Sequence, residues 1–188
     1  LVGISISPSA GEAYYIPVRH TRLEPTEQLP LAQVLERIKP VLEDNRTAKA
    51  AHNGKYDIEI MAGNGINVAN RNFDTMIAAY LLEEPSLSLK PLAFNRLGIE
   101  MTAITDLIGT GNKRVTMSEV EIEKAADYAC ADADVTGQLV NELKPDLQSN
   151  KLWDLFTAVE MPLMPILVHM ERSGIALNKD LLGQMSRE

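Results

Sequence analysis

The chain opens with alternating apolar and polar residues, the pattern of a half-buried strand. The alternation covers residues 1–7, a turn follows, and a second strand-like segment covers 13–18, so we predict a hairpin. Pro17 favours an edge position for the second strand. Helically spaced apolar residues predict a helix over 26–43, and a short run of small residues predicts a buried strand over 47–51.

Helices dominate the second half of the pattern. We predict helices over 75–83, with Asp74 as N-cap, and over 88–97. A longer helix is expected from the capping box at 118–121 up to Pro145. Strands that come first, followed by interleaved helices, predict a mixed α/β sheet domain. The inward-facing stripe of the long helix is expected to be Ile122, Ala126, Ala129, Ala133, Thr136, Val140 and Leu143.

The C-terminal part predicts a broken helix and a short strand. The helical pattern over 152–172 contains two prolines, so we expect a break near Met161. Residues 175–177 have strand character. We place a domain boundary near 148–151, so that residues 1–150 form one domain and 151–188 begin another.

One segment has two possible structures. Asn53-Gly54 is a favoured hairpin turn, and the residues after it alternate like a strand. A helix over 54–62, ended by the glycines at 63 and 65, fits equally well. The pattern alone leaves both open.

Composition excludes several classes of protein. The 188 residues are 45% hydrophobic, which excludes intrinsic disorder. With 18 basic and 26 acidic residues the net charge is −8, so there is no basic surface for a nucleic-acid backbone. The single cysteine, Cys130, excludes a disulfide scaffold. No apolar stretch approaches the length of a membrane span. The first residue is not Met and both ends look cut, so we expect an internal piece of a longer protein.

Two pairs of residues could carry chemistry. Tyr128 and Asp132 are four residues apart and share one face of the long helix, while Asp134 is expected to face water. A carboxylate could hold a divalent cation while the phenol orients a water molecule; a solvated acidic face with a packed tyrosine is the alternative. Asn53 and Asp57 have the same spacing if their segment is helical. Otherwise they are a turn asparagine and an exposed aspartate.

The glycine-containing segment 109–114 and the histidines offer less. The segment lacks the full dinucleotide and P-loop fingerprints, so we predict a plain exposed loop in which Lys113 and Arg114 could still touch a phosphate. The three histidines are dispersed and have no metal-ligand spacing.

Four blocks taken together resemble the family A DNA polymerases, the DNA polymerase I group. H-N-G-K-Y-D and Y-A-C-A-D-A-D-V-T resemble the second and third exonuclease motifs, the latter in the Y-x-x-x-D form of the DEDD exonucleases. F-D-T-M matches between them, and E-M-P-L-M-P-I-L-V-H-M-E-R-S-G-I resembles the opening of the polymerase domain. These blocks lie at 52–57, 128–136, 73–76 and 160–175.

The resemblance implies a ribonuclease H-like domain with 3′→5′ proofreading activity, and it implies that 54–62 is helical. Asp132 would bind one metal ion directly, and Asp57 would serve a second one through water. Tyr128 would orient the attacking water. Asn53 and Tyr56 would line the pocket for the terminal nucleotide. A further apolar residue, Ile104, would pack against a base.

The resemblance also implies cofactors and partners. Two Mg²⁺ or Mn²⁺ ions would act together, and the substrate would be the single-stranded 3′ end of DNA. The remainder of the polymerase chain would supply the grip on DNA. We expect a monomer in the bacterial cytoplasm, associated with the nucleoid and not with a membrane.

The main departure from the family is the missing first motif, D-x-E, which should lie upstream of Leu1. Half of the carboxylates are therefore absent, and we expect this chain alone to bind metal poorly and to cleave little, although its parent is active. Two alternatives remain open. One is a catalytically degenerate domain that braces the polymerase, and the other is a DEDD exoribonuclease acting on RNA.

Overall fold

The computed structural model describes residues 1–21, 28–111 and 114–187. Its strands form two pairs. β1 and β2 are antiparallel, with Ile4 opposite Ile16, and β3 and β4 are parallel, with Ala51 opposite Asp74. The strands are β1 (Gly3–Ser9), β2 (Glu12–Pro17), β3 (Lys49–Ala51) and β4 (Arg71–Asp74). The predicted hairpin and the mixed α/β class are confirmed.

Helices make up most of the remaining structure. They are α1 (Leu31–Leu42), α2 (Gly54–Gly63), α3 (Thr75–Leu81), α4 (Leu89–Leu97), α5 (Ile104–Ile108), α6 (Ile122–Ser149), α7 (Trp153–Leu155), α8 (Met161–Ser173) and α9 (Lys179–Met185). A 3₁₀ turn covers Met117–Glu119, and a π-helical turn over Phe156–Glu160 joins α7 to α8. The expected start of the first helix at Thr26 lies outside the described residues.

The structure resolves the ambiguous segment as a helix. Asn53 precedes α2 with φ 59°, in the left-handed region, which asparagine tolerates better than most residues. The same tolerance makes Asn-Gly a hairpin turn, so the dipeptide alone could not distinguish the two structures. No side chain fits at Gly54, where a Cβ would lie 2.8 Å from Ala51 Cβ.

The core lies between α6 and the segments around it. Leu139, Leu143 and Leu147 are fully buried, and Phe73 of β4 contacts Phe156 of the π-helical turn, with ring centroids 4.8 Å apart. The aromatic contact joins residues on either side of the expected domain boundary, which stays a prediction. No helix in the described ranges combines the length and hydrophobicity needed to cross a membrane.

The buried face of α6 differs from the predicted stripe. Of the predicted residues only Thr136 and Leu143 are buried. Both hairpin strands, β3, α3 and α4 contact α6, so its buried surface is not a single stripe. The other predicted residues are half-buried, while Leu139 and Leu147, which the prediction left out, are fully buried. Asp134, which was expected to face water, is half-buried, and its Oδ1 accepts a 2.8 Å hydrogen bond from Gly11 N in the hairpin turn.

Two predicted helix boundaries and one predicted strand were wrong. Pro145 does not end α6, which continues for another turn. The proline removes one hydrogen bond of the helix, and the fully buried Leu143 and Leu147 on either side of it keep this turn packed on the core. The capping box joins Thr116 and Glu119, and it opens the 3₁₀ turn, not α6. Residues 175–177 form no strand, and Ile175 is 90% exposed, since no described strand lies beside it.

Candidate functional site

The loop before α2 is held by one buried carboxylate. Asp74, 1% exposed at the end of β4, accepts hydrogen bonds from Asn53 N at 3.3 Å and from Gly54 N at 2.7 Å. The same side chain caps α3 through Met76 N and Ile77 N, at 2.8 and 3.2 Å. It therefore joins the N-termini of two helices, each of which attracts negative charge. This contact fixes the direction in which α2 leaves β3.

Asp57 lies in the first turn of α2, near that carboxylate. Although Asp57 reaches solvent, the protein atoms around its carboxyl and the charge of Asp74 raise its pKa to about 6. Desolvation is the larger cause. The surroundings of Asp57 disfavour its charged form, and a bound cation would favour that form again. Asp57 is therefore suited to binding a cation.

Asp57 should make the stability of the chain pH-dependent. Its pKa is raised from 3.8 to about 6, so between these values the folded state holds more protons than the unfolded state. The free energy of unfolding must then fall as pH rises through that window. Since the group is exposed, solvent screening reduces the cost of its charge to about 1 kcal/mol. We expect Asp57→Asn to raise the free energy of unfolding at pH 7.5 and not at pH 3.5, measured by urea denaturation.

Glu59→Gln provides the control for this prediction, because it removes the same charge from the same helix. Equal changes for Asp57→Asn at both pH values would show that its charge is not disfavoured in the folded state.

The second group of candidate residues lies on α6, opposite α4. Tyr128 and Asp132 occupy one face, as their spacing predicts, and both are half-buried. Lys90, near the start of α4, donates a hydrogen bond to Tyr128 Oη over 3.1 Å. Its Nζ also lies 4.2 Å from the centre of the phenol ring. The pair on α6 is therefore part of a three-residue cluster.

Asp132 carries an unused acceptor. Among the described residues nothing donates a hydrogen bond to its Oδ1, which is buried. Desolvation raises the pKa of Asp132, against the opposing effects of Lys90 and the Tyr128 hydroxyl. A buried carboxylate oxygen without a hydrogen-bond partner destabilises a folded protein, and such an oxygen is an ideal ligand for a hard cation. The donor chemistry at this position thus fits a divalent metal ion.

A small cavity adjoins the α6 pair. Its volume is about 60 Å³, room for more than one water molecule, and Tyr128, Asp132 and Asp127 line it together with Met101 and Thr102. Burial raises the pKa of the Tyr128 phenol, with the Asp132 charge as a smaller cause, so this hydroxyl keeps its proton at neutral pH. Carboxylate, phenol and water-sized space are together on this face.

The other candidate residues lie on the surface. Tyr56 is 62% exposed and Ile104 is 44% exposed, so both side chains are accessible to a ligand. In the described ranges no three acidic, histidine or cysteine side chains form a metal-binding group. The convergence of Asp57 and Asp132 on shared cations stays a prediction.

Two other features lie apart from these residues. An open concavity of about 530 Å³, lined by Asn45, Asn67 and Arg71 among others, includes none of the candidate residues. In the 109–114 loop, Arg114 is exposed, as expected, while Lys113 lies outside the described residues.

Sequence reasoning missed two contributors to the site. Asp74 was recognised as the cap of α3, but its hydrogen bonds to the backbone before α2 depend on the pairing of β3 with β4. A single lysine at 90 has no motif that distinguishes it, because its contact with Tyr128 arises only when α4 packs on α6.

Comparison with known proteins gives a consistent result. A family model described as 3′-5′ exonuclease matches residues 1–148. The chain is 42% identical over its whole length to a DNA polymerase I of Chloroflexus aurantiacus, and 37% identical to one of Pseudomonas aeruginosa. It spans 20% and 21% of the length of these two relatives, about a fifth.

Solved structures share the fold at lower identity. The POL domain of Pol1 from M. smegmatis, in complex with DNA primer-template and dNTP, superposes with a TM-score of 0.68 at 23% identity, over 93% of this chain and 26% of that one. Brucella melitensis NrnC with bound Mg²⁺ gives a TM-score of 0.65 at 18% identity, over 93% and 77% of the two chains.

Proposed function

Because the chain belongs to the 3′-5′ exonuclease family found in DNA polymerase I, we propose that its site removes single nucleotides from the 3′ end of DNA with two divalent metal ions. The observation that carries the proposal is the buried Asp132 Oδ1, which lacks a hydrogen-bond donor in the described part of the chain and borders a water-sized cavity beside Tyr128. Mg²⁺ or Mn²⁺ suits such an oxygen ligand.

Each candidate residue has a role in this proposal. Asp132 holds one ion directly and Asp57 serves the other through water. The two ions would supply a more acidic water molecule and stabilisation of the leaving oxygen. Tyr128, protonated and partly fixed by Lys90, orients the attacking water molecule.

Substrate contacts come from exposed residues. Tyr56 and Asn53, in and before the first turn of α2, bracket the terminal nucleotide, and Ile104 at the start of α5 offers an apolar surface for a base. With a net charge of −8 the chain repels DNA until cations reduce the charge of its carboxylates. Binding of metal and binding of DNA are therefore coupled in this proposal.

The surrounding protein completes the proposal. In a longer bacterial DNA polymerase I, further segments supply the remaining metal-binding carboxylates and the grip on DNA. Such a polypeptide acts as a monomer in the cytoplasm, where it also synthesises DNA.

The test compares cleavage by the 188-residue chain with cleavage by a DNA polymerase I polypeptide that includes this sequence. We expect the longer polypeptide to shorten a 5′-labelled single-stranded oligonucleotide one nucleotide at a time with Mg²⁺ or Mn²⁺. The chain alone should be at least about a hundredfold slower, because a two-ion site needs more carboxylates than Asp57 and Asp132 provide. An inactive longer polypeptide would instead support the scaffold role, and a preference for RNA would support an exoribonuclease.

A further inference from the structure

Lys90 makes two contacts with the same side chain. Its Nζ donates to Tyr128 Oη over 3.1 Å and lies 4.2 Å from the centre of the Tyr128 ring. It is half-buried near the start of α4, and its positive charge acts on Asp132 as well. Lys90 therefore interacts with both α6 residues of the proposed site, with Tyr128 by contact and with Asp132 through its charge.

The direction of the hydrogen bond follows from the chemistry of the two groups. An ammonium group has three N–H donors and no acceptor, so Tyr128 Oη must accept. A phenol that accepts from Lys90 retains its own hydrogen, which points away from Lys90, and the hydroxyl interacts with the carboxylate of Asp132. The charge over the ring also opposes rotation of the side chain, since a desolvated cation–π contact is stabilising.

Other basic side chains near the site are held differently. Lys55 pairs with Glu171 of α8 at 2.6 Å, and Arg96 pairs with Glu84 and Asp146. These ion pairs connect elements of the fold. The contacts of Lys90 are instead directed at the residues of the candidate site.

We propose that Lys90 is a positioning residue for the exonuclease reaction, which orients the Tyr128 hydroxyl so that its hydrogen is donated on the Asp132 side of the cavity. There it can hydrogen-bond the oxygen of the attacking water and hold that oxygen in place for the attack. Without Lys90 the hydroxyl loses the donor that fixes its acceptor side, and water can then donate to Tyr128 Oη in an unproductive orientation. This inference rests on the proposed function.

The first experiment measures cleavage and binding by a DNA polymerase I polypeptide that includes this sequence. We expect Lys90→Met to lower kcat about tenfold, the effect of losing one charge-assisted hydrogen bond in the transition state. The Kd for a labelled oligonucleotide, measured with Ca²⁺, should change by less than about twofold, because Lys90 does not bind DNA in this proposal. Lys90→Arg should restore most of the activity, since its guanidinium can also donate.

Lys144→Met is the matched control. Lys144 Nζ also lies over an aromatic ring, at 5.3 Å from the centre of Trp153, in a different part of the molecule. This variant should keep the activity of the unmodified polypeptide. A raised Kd with unchanged kcat for Lys90→Met would overturn the inference and make Lys90 a phosphate contact.

A double-mutant cycle tests whether Lys90 acts through Tyr128. Tyr128→Phe keeps the ring and removes the hydroxyl, so in that background Lys90→Met should have little further effect on kcat. If the two substitutions lower kcat by factors that multiply in the double variant, the inference is overturned, because Lys90 would then act independently of the hydroxyl.

A measurement without catalysis separates this inference from the proposed function. In the 188-residue chain with ¹³Cζ-labelled tyrosine, the Tyr128 signal is identified by its loss in Tyr128→Phe. Lys90→Met should shift that signal and Lys144→Met should not. An unshifted signal overturns the inference whatever the activity. Equal cleavage by the unmodified polypeptide and its Asp132→Ala variant overturns the proposed function instead.

Discussion

Replacing Asp132 with alanine should nearly abolish exonuclease activity in a DNA polymerase I polypeptide that includes this sequence, while DNA synthesis stays largely intact. One oxygen of this carboxylate is buried and has no hydrogen-bond partner in the described ranges, and we propose that it binds a cation. Metal ions contribute several kcal/mol to the stabilisation of such a transition state, so the rate should fall on the order of a thousandfold. Single-turnover cleavage of a 5′-labelled oligonucleotide measures it.

Two comparisons make this result specific. Tyr128→Phe should reduce the rate less, because only the positioning of water is lost. Asp134→Ala removes a carboxylate from the same helix that instead contacts Gly11, so it should leave the rate near that of the unmodified polypeptide. If Asp132→Ala and the unmodified polypeptide cleave at equal rates, the assignment of Asp132 as a metal ligand is wrong.

Local pattern was sufficient for those parts of the fold that depend on nearby residues. The hairpin follows from alternation and a turn, and α3 follows from Asp74 as its cap, which the hydrogen bonds to Met76 N and Ile77 N confirm. The shared face of Tyr128 and Asp132 follows from helical spacing alone.

Features that depend on packing could not be predicted from the pattern. Asp134 has the spacing of a surface residue, yet the hairpin lies against α6 and its turn reaches the carboxylate. The buried stripe of α6 is displaced because several elements of the fold pack on this helix. β4 was missed, since its four residues acquire strand structure only by pairing with β3.

The candidate site divides in the same way. Residues in motifs could be selected from the sequence because four ordered blocks resemble one family. Lys90 belongs to none of these blocks, and its position over Tyr128 is set by how α4 crosses α6. The pKa of Asp57 is raised mainly by desolvation of its carboxyl and also by Asp74, which is close in space because β3 and β4 are paired.

Asp74→Ala should be the most destabilising single substitution among the candidate residues, with an expected loss of about 3–4 kcal/mol in the free energy of unfolding. Its carboxylate accepts from four backbone N–H groups at the ends of two helices, and the side chain is almost completely buried. Alanine would leave those donors without a partner and would remove a charge that both helix N-termini favour. Urea denaturation of the 188-residue chain measures the loss.

Asn178→Ala is the matched control, because Asn178 caps the exposed helix α9 through a single 3.0 Å hydrogen bond to Leu181 N. It should cost about 1 kcal/mol or less. Comparable losses for the two variants would show that Asp74 acts as an ordinary cap of α3 and does not hold the loop before α2.

Asp74→Asn separates the two helices that the carboxylate joins. If asparagine keeps Oδ1 in place, it still accepts from Asn53 N, Met76 N and Ile77 N, but its amide nitrogen then faces Gly54 N, which lies 2.7 Å from Asp74 Oδ2. The amide NH₂ and Gly54 N–H are both donors and cannot form a hydrogen bond with each other. The start of α2 should therefore become less stable, while α3 keeps its cap. Hydrogen exchange should therefore become faster at 54–57 and stay unchanged at 76–81. Equal acceleration in both segments would mean that the carboxylate stabilises the region as a whole, and the position of Asp57 would then depend on something other than this contact.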